Sequence, residues 1–98
     1  MKRHWPVGLI GWLVLLAACS AKPPPLPVLA AGDVVVAFGD SLTFGSGAGE
    51  SESYPVVLAS LIGRNVIREG VPGETTEQGL ERLPEVLETH QPRLVLLC

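Results

Sequence analysis

Blocks of apolar residues alternate with polar and glycine-rich stretches along residues 33–98. The first block, Val34 to Phe38, is continuously apolar, as expected for a strand covered on both faces. A helix is predicted next, from Ser53-Tyr54-Pro55 to Gly63, because proline is favoured in a first helical turn and glycine after a last one. Its apolar face is formed by Val56, Leu58, Ala59, Leu61 and Ile62.

The same order is repeated in the second half. Asn65 to Arg68 predicts a short strand, and Thr75 or Thr76 can cap a second helix that runs to about His90. Pro84 is expected to kink or divide this helix, because proline lacks the backbone N–H that a helix interior requires. The predicted buried side of the helix comprises Leu80, Leu83, Val86 and Leu87.

Arg93 to Cys98 predicts a third buried strand, in which Cys98 is a small buried residue. The order strand–helix–strand–helix–strand, without a hairpin signal, indicates parallel strands joined by right-handed crossovers. We therefore predict an α/β fold of the flavodoxin-like, three-layer α/β/α type. Three strands and two helices are half of such a domain. The hypothesis is that residues 32–98 are the N-terminal part of a truncated domain.

The N-terminal 31 residues have a different composition. A basic start and an apolar run to Ala18 are typical of a secretory signal, and the run is too short for a membrane span of about 20 residues. Leu16-Ala17-Ala18-Cys19 resembles the lipobox of bacterial lipoproteins, in which the cysteine is lipidated. This predicts a signal peptide over 1–18 and a lipid-anchored, proline-rich linker over 19–31. The alternative is an ordinary signal peptide cut near Ala18 or Ala21.

This N-terminus predicts an exported protein, anchored through Cys19 in the bacterial envelope. Ser20, rather than an aspartate, resembles the signal for outer-membrane sorting, so we expect the domain to face the periplasm. Acidic residues outnumber basic ones, and the excess is larger once the predicted signal, with Lys2 and Arg3, is excluded. This charge balance argues against a nucleic-acid-binding surface. The two cysteines are too few for a disulfide framework.

The candidate chemistry lies directly after the first strand, in Gly39-Asp40-Ser41-Leu42-Thr43. Ligands of open α/β sheets bind beyond the carboxyl ends of the strands, which makes Ser41 a candidate nucleophile. This block resembles the signature of the GDSL, or SGNH, hydrolases, and Gly70 to Thr76 resembles their second block. Gly79 to Pro84 and His90-Gln91-Pro92 are similar to the bacterial arylesterase, acyl-CoA thioesterase and lysophospholipase branch.

The resemblance implies hydrolysis of an ester, thioester or lysophospholipid through an acyl-enzyme on Ser41. It gives the Ser41 backbone N–H and the Gly73 backbone N–H the role of oxyanion-hole donors. A glycine suits the second position, where the backbone comes close to the substrate and can need a positive φ. Asp40 is expected to brace the turn by accepting backbone hydrogen bonds, not to serve as the triad acid. No cofactor or metal ion is predicted.

Three departures from the family pattern limit these expectations. The Asn-containing block and the Asp-x-x-His block are absent from the 98 residues, so the fragment alone is expected to be inactive. Arg68 stands where relatives often carry asparagine. His90 lies near a helix C-terminus and is a poor candidate for the missing base, and His4 belongs to the predicted signal.

Two other functions remain open at this point. Ser41, Thr43 and the glycines at 45, 47 and 49 could bind a phosphate or small ligand, although Gly-x-Gly-x-Gly fits neither a P-loop nor a dinucleotide fingerprint. The fold could also serve as a non-catalytic surface of an envelope lipoprotein. Neither the acyl-chain preference nor the oligomeric state is predicted.

Overall fold

The computed structural model describes residues 22–98. The predicted signal peptide, Cys19 and the first part of the linker lie outside these residues. A turn over 30–33 leads into the sheet, where the Asp33 N–H donates to the Ala30 carbonyl (3.1 Å) and the Ala30 N–H donates to the Asp33 carboxylate (2.7 Å). Within the described residues, the helices are too short or too polar to cross a membrane.

Residues 22–98 form three strands and three helices. In chain order they are β1 (Val34–Gly39), α1 (Ser41–Phe44), α2 (Tyr54–Ile62), β2 (Asn65–Gly70), α3 (Thr76–His90) and β3 (Leu94–Leu97). The strands form one sheet in the order β2-β1-β3, and both pairings are parallel. The predicted α/β fold with a parallel sheet is therefore confirmed. The second strand is two residues longer than predicted.

The central position of β1 explains its composition. With a partner strand on each side, Val35, Val36 and Ala37 are almost completely buried. Val36 and Phe38 form the core together with Val86 of α3. A strand without charged residues tolerates this environment, because an unpaired charge would be costly to bury. Partly buried residues around this core are Val34, Ile67, Leu83 and Val95.

Helix α3 buries only part of the predicted face, because Leu83 and Val86 pack against the sheet whereas Leu80 and Leu87 are exposed. Leu80 is 70% exposed, and Gly79, which was not predicted to be buried, completes the buried stripe with Leu83 and Val86. The glycine brings α3 close to the sheet, since a Cβ added at this position would lie 3.5 Å from the Phe38 ring. Leu80 is one residue further on, about 100° around the helix axis, and so points away from the sheet.

Helix α2 is also more exposed than predicted. Its ends are as expected, with Ser53 at the N-cap position and Gly63 in the left-handed region after the last turn (φ +60°). Leu58 and Ala59 are half-buried, whereas Leu61 is 78% exposed. The reason is that α2 packs against the edge strand β2, where only a narrow part of the helix meets the sheet.

Pro84 does not divide α3, which is one continuous helix. Leu83 and Val86, on either side of the proline, both pack against the sheet, and this burial offsets the loss of one hydrogen bond. A capping box fixes the start of the helix. The Gln78 N–H donates to the Thr75 hydroxyl (3.3 Å), and the Thr75 N–H donates to the Gln78 side chain (3.0 Å).

An ion-pair network connects α3 to the end of β2. Arg82 binds the Glu74 carboxylate through two hydrogen bonds, from Nε (2.8 Å) and Nη2 (2.9 Å). It also donates to the Glu69 carboxylate (3.0 Å), whose other oxygen lies 2.7 Å from His90 Nε2. The hydrogen bonds from Arg82 hold the pKa of Glu74 below its usual range, and Glu74 raises the pKa of Arg82 in turn. Both groups therefore remain charged over a wider pH range.

Gly70→Ala should destabilise the protein. An added Cβ would clash with the Phe44 backbone nitrogen and lie 2.8 Å from the Asp40 carbonyl oxygen, because the α1 turn crosses directly over the end of β2. Overpacking of this kind typically costs about 1–3 kcal/mol of unfolding free energy. Urea denaturation measures the loss. Gly32→Ala is the control, since its Cβ would meet no atom within 4 Å, and equal midpoints for the two variants would contradict the prediction.

The Glu74–Arg82 contact should stabilise the fold in a pH-dependent manner. Because the folded-state pKa of Glu74 is lowered, its stabilisation is complete above the unfolded-state pKa and is lost as the pH falls through the folded-state value. The difference in unfolding free energy between wild type and Glu74→Gln should therefore shrink with acidification. Glu81→Gln removes an exposed carboxylate from α3 and controls for the loss of one charge. A difference that grows on acidification would refute this assignment.

Candidate active site

Ser41 is the first residue of α1, a single helical turn that follows β1 after one intervening residue. The Asp40 carboxylate accepts a hydrogen bond from the Leu42 N–H (3.2 Å), which is the bracing contact expected for it. Gly45 ends the turn in the left-handed region (φ +91°), and its N–H donates to the Ser41 carbonyl (2.9 Å). Ser41 is thus held from both ends of the turn, with its side chain partly exposed.

The sequence pattern does not predict the helix α1. Four residues are too few to show a hydrophobic period. The available signal was the pair of caps, an aspartate directly before the turn and a glycine directly after it.

Gly73 lies in a tight turn at the same edge of the sheet. The Glu74 N–H donates to the Val71 carbonyl (3.2 Å), Pro72 is the second residue of the turn, and Gly73 has φ +77°. Proline followed by a residue with positive φ is the pattern of a type II turn. The positive φ, not crowding, selects glycine, since a Cβ added at Gly73 would meet no atom within 4 Å.

The sheet register brings the two turns to adjacent positions. Gly39 of β1 is paired with Gly70 of β2, and the Val71 N–H donates to the Gly39 carbonyl (3.1 Å). Ser41 follows the paired glycines by two residues and Gly73 by three. Within residues 22–98, neither the Ser41 nor the Gly73 backbone N–H donates a hydrogen bond, so both donors are available to a ligand.

Two cavities open at this edge of the sheet. The first, of about 390 Å³, has a largely apolar wall and reaches Gly39 and Asp40. The second, of about 610 Å³, lies between the Gly73 turn and α3 and is lined by acidic residues as well as Arg82. Gly73 borders the second cavity, and Ser41 borders neither. The apolar wall of the first cavity is formed by Phe38, Leu80, Leu83 and Leu97.

The histidine of the described chain does not reach the serine. His90 is at the last position of α3 and bonds to Glu69, while the Ser41 hydroxyl makes no hydrogen bond within residues 22–98. In the same residues, no three His, Cys, Asp or Glu side chains form a group that could hold a metal ion.

The prediction for Cys98 was wrong. Cys98 is exposed and lies one residue beyond the end of β3, although its N–H still donates to the Phe38 carbonyl (3.0 Å). Within the described sheet β3 is an edge strand, because it pairs with β1 on one side and with no strand on the other. The end of β3 is therefore more exposed than its apolar sequence predicts.

The contacts of two arginines near the site were not predicted from the sequence. Arg68 donates to the Phe44 carbonyl (3.0 Å) and lies over the Phe44 ring, which braces the C-terminal end of α1. Arg82 holds Glu74, the residue after Gly73. The available signal for Arg82 was its position as the only arginine or lysine among several acidic residues on α3 and the preceding loop.

Several known proteins are similar to this chain in sequence. The model of the GDSL-like lipase/acylhydrolase family matches residues 37–98. Thioesterase 1/protease 1/lysophospholipase L1 of Escherichia coli (strain K12) is 39% identical over 70 residues, which are 69% of this chain and 34% of that protein. Arylesterase of Vibrio mimicus is 36% identical over 72 residues, 68% of this chain and 36% of that protein.

A solved structure shows the same architecture. The SGNH-hydrolase family esterase AlinE4 superposes with a TM-score of 0.64 at 35% identity, over 71% of this chain and 41% of that one. The chain spans about a third of the length of the curated relatives it matches. The family match covers more than half of the chain and includes both turns described above, which shows that the chain belongs to the GDSL-like lipase/acylhydrolase family, as its two sequence blocks predicted.

Proposed function

We propose that the protein is a serine hydrolase of carboxylic esters or thioesters, with Ser41 as the nucleophile. The observation that carries the proposal is the placement of Ser41 at the carboxyl end of the central strand, in a turn fixed by Asp40 and Gly45, in a chain of the lipase/acylhydrolase family. Ser41 Oγ attacks the carbonyl carbon, the alcohol or thiol leaves, and water hydrolyses the resulting acyl-enzyme.

The oxyanion formed in this reaction is bound by the backbone N–H groups of Ser41 and Gly73. Three findings support these roles: both groups lack partners in the described chain, both follow paired residues of adjacent parallel strands, and Gly73 has the positive φ expected for it. Removal of one donor of this kind typically lowers the rate about 10²- to 10³-fold.

The general base is a histidine that residues 1–98 do not supply. A serine hydroxyl is a weak nucleophile until a base removes its proton. His90 is bonded to Glu69 and away from Ser41, and His4 belongs to the predicted signal peptide. We therefore expect residues 1–98 alone to be inactive and the full-length protein to be active.

The substrates in this proposal are esters, thioesters or lysophospholipids. Two relatives are named as a thioesterase and lysophospholipase and as an arylesterase. The apolar wall of the first cavity, which begins beside Asp40, suits an acyl or aryl group.

A fluorophosphonate probe should label the full-length protein on Ser41. Labelling requires an activated serine and is read by intact mass and peptide mapping. Ser41→Ala should abolish both labelling and hydrolysis of a p-nitrophenyl ester, while Ser46→Ala, an exposed serine in the following loop, should retain them. A folded wild-type protein that is neither labelled nor active would instead support a binding role for the domain.

We also propose that the protein is a lipoprotein of the bacterial envelope, anchored through Cys19, with Ser20 directing it to the outer membrane. Cys19→Ala should abolish incorporation of a fatty-acid label and release the protein from the membrane fraction. Cys98→Ala removes the other cysteine of the chain and should change neither. Unchanged labelling and fractionation of the Cys19→Ala protein would disprove the anchor.

A further inference from the structure

Arg82 connects both arms of the loop that carries Gly73. Before the turn, it donates to the Glu69 carboxylate (3.0 Å) and to the Glu69 carbonyl (3.1 Å). After the turn, it holds the Glu74 carboxylate through two parallel hydrogen bonds. Gly73 therefore lies between two residues fixed by one guanidinium group.

The guanidinium is itself fixed against the core. It lies over the Phe38 ring, with 4.3 Å between Arg82 Cζ and the ring centroid, and Phe38 is a buried residue of the central strand. The Glu74 side chain is only 9% exposed, so this contact is largely withdrawn from solvent. Planar stacking combined with two-point binding of a carboxylate is a geometry that arginine provides and lysine does not.

Two backbone hydrogen bonds hold the Gly73 turn. The turn is anchored at its start by the Val71–Gly39 hydrogen bond and closed by the Glu74–Val71 bond. No side chain packs on the Cβ side of Gly73, and glycine has the widest intrinsic conformational range of any residue. The side chain of Glu74, held by Arg82, is the contact that restrains the peptide from the other side.

We propose that Arg82 is a positioning residue for ester hydrolysis: through Glu74 it holds the Gly73 N–H where the oxyanion forms. This inference depends on the proposed function of Ser41 and Gly73. Arg82 touches no reacting atom, and its loss should raise the energy of the transition state more than that of the bound substrate.

The test compares Arg82→Gln with Arg93→Gln in the full-length protein. Arg93 is exposed and its side chain makes no hydrogen bond within the described residues, so it controls for the loss of one positive charge. Hydrolysis of a p-nitrophenyl ester gives kcat and KM. The inhibition constant of an alkylboronic acid, which forms a tetrahedral adduct with a serine, measures affinity for a transition-state analogue.

Arg82→Gln should lower kcat about 10- to 100-fold, a smaller decrease than the complete removal of an oxyanion-hole donor causes. KM should change less than about threefold. The boronate should bind weaker by the same factor as kcat/KM. Arg82→Lys should recover little of the loss, and Arg93→Gln should stay within about twofold of wild type. Gly73→Ala gives the upper limit of the effect, with Gly63→Ala, another glycine of positive φ, as its control.

A folded Arg82→Gln protein with kcat/KM within about twofold of wild type would overturn the inference, as would lost activity with unchanged boronate affinity. If Arg82→Gln does not fold, Glu74→Gln decides, because it leaves the Arg82 contacts with Glu69 and Phe38 in place and should weaken boronate binding in the same direction. Failure of the proposed function is recognised separately, by a wild-type protein without esterase activity or by an active Ser41→Ala variant.

Discussion

The pairing of β1 with a parallel strand on each side determines where chemistry can occur in this chain. Because parallel strands end at the same edge, the segments that follow β1 and β2 emerge together, one with Ser41 and the other with Gly73. The strand is apolar because it is enclosed, and its enclosure gives the turn after it a rigid base. Burial of β1 and placement of the candidate nucleophile are thus two consequences of the same topology.

Where burial follows from the strand pattern, the sequence predicted the structure well. The sequence predicted all three strands, with β2 two residues too short, and the caps around α2 and α3 predicted the ends of these helices. The buried faces of the helices were less predictable, because the pattern of apolar residues does not show how much of a helix the sheet covers. Leu80 and Leu61 are exposed for this reason, while Gly79 is buried because a close helix–sheet approach requires a small residue.

The site itself was predictable only in part. Two blocks of residues predict Ser41, Asp40 and Gly73 as site residues, but the one-turn helix that carries Ser41 is too short to produce a periodic signal. Arg82 and Arg68 could not be assigned contacts from the sequence, since these depend on which carboxylates and carbonyls the fold brings within about 3 Å. Long charged side chains are the least predictable part of such a site, because their reach permits many partners.

The two proposed oxyanion donors are held in different ways, and this difference has a consequence for the site. The Ser41 N–H is fixed locally, by its direct continuity with β1 and by hydrogen bonds within the α1 turn. The Gly73 N–H lies in a backbone turn whose next residue, Glu74, is held by Arg82, nine positions after Gly73 in the sequence. Since oxyanion stabilisation requires donors that need no reorganisation during the reaction, the second donor is the one whose precision must be supplied by tertiary contacts. The charged network on α3 is therefore better understood as a support of the Gly73 turn than as a surface feature of the helix, and its partial burial beside Phe38 keeps solvent from loosening it.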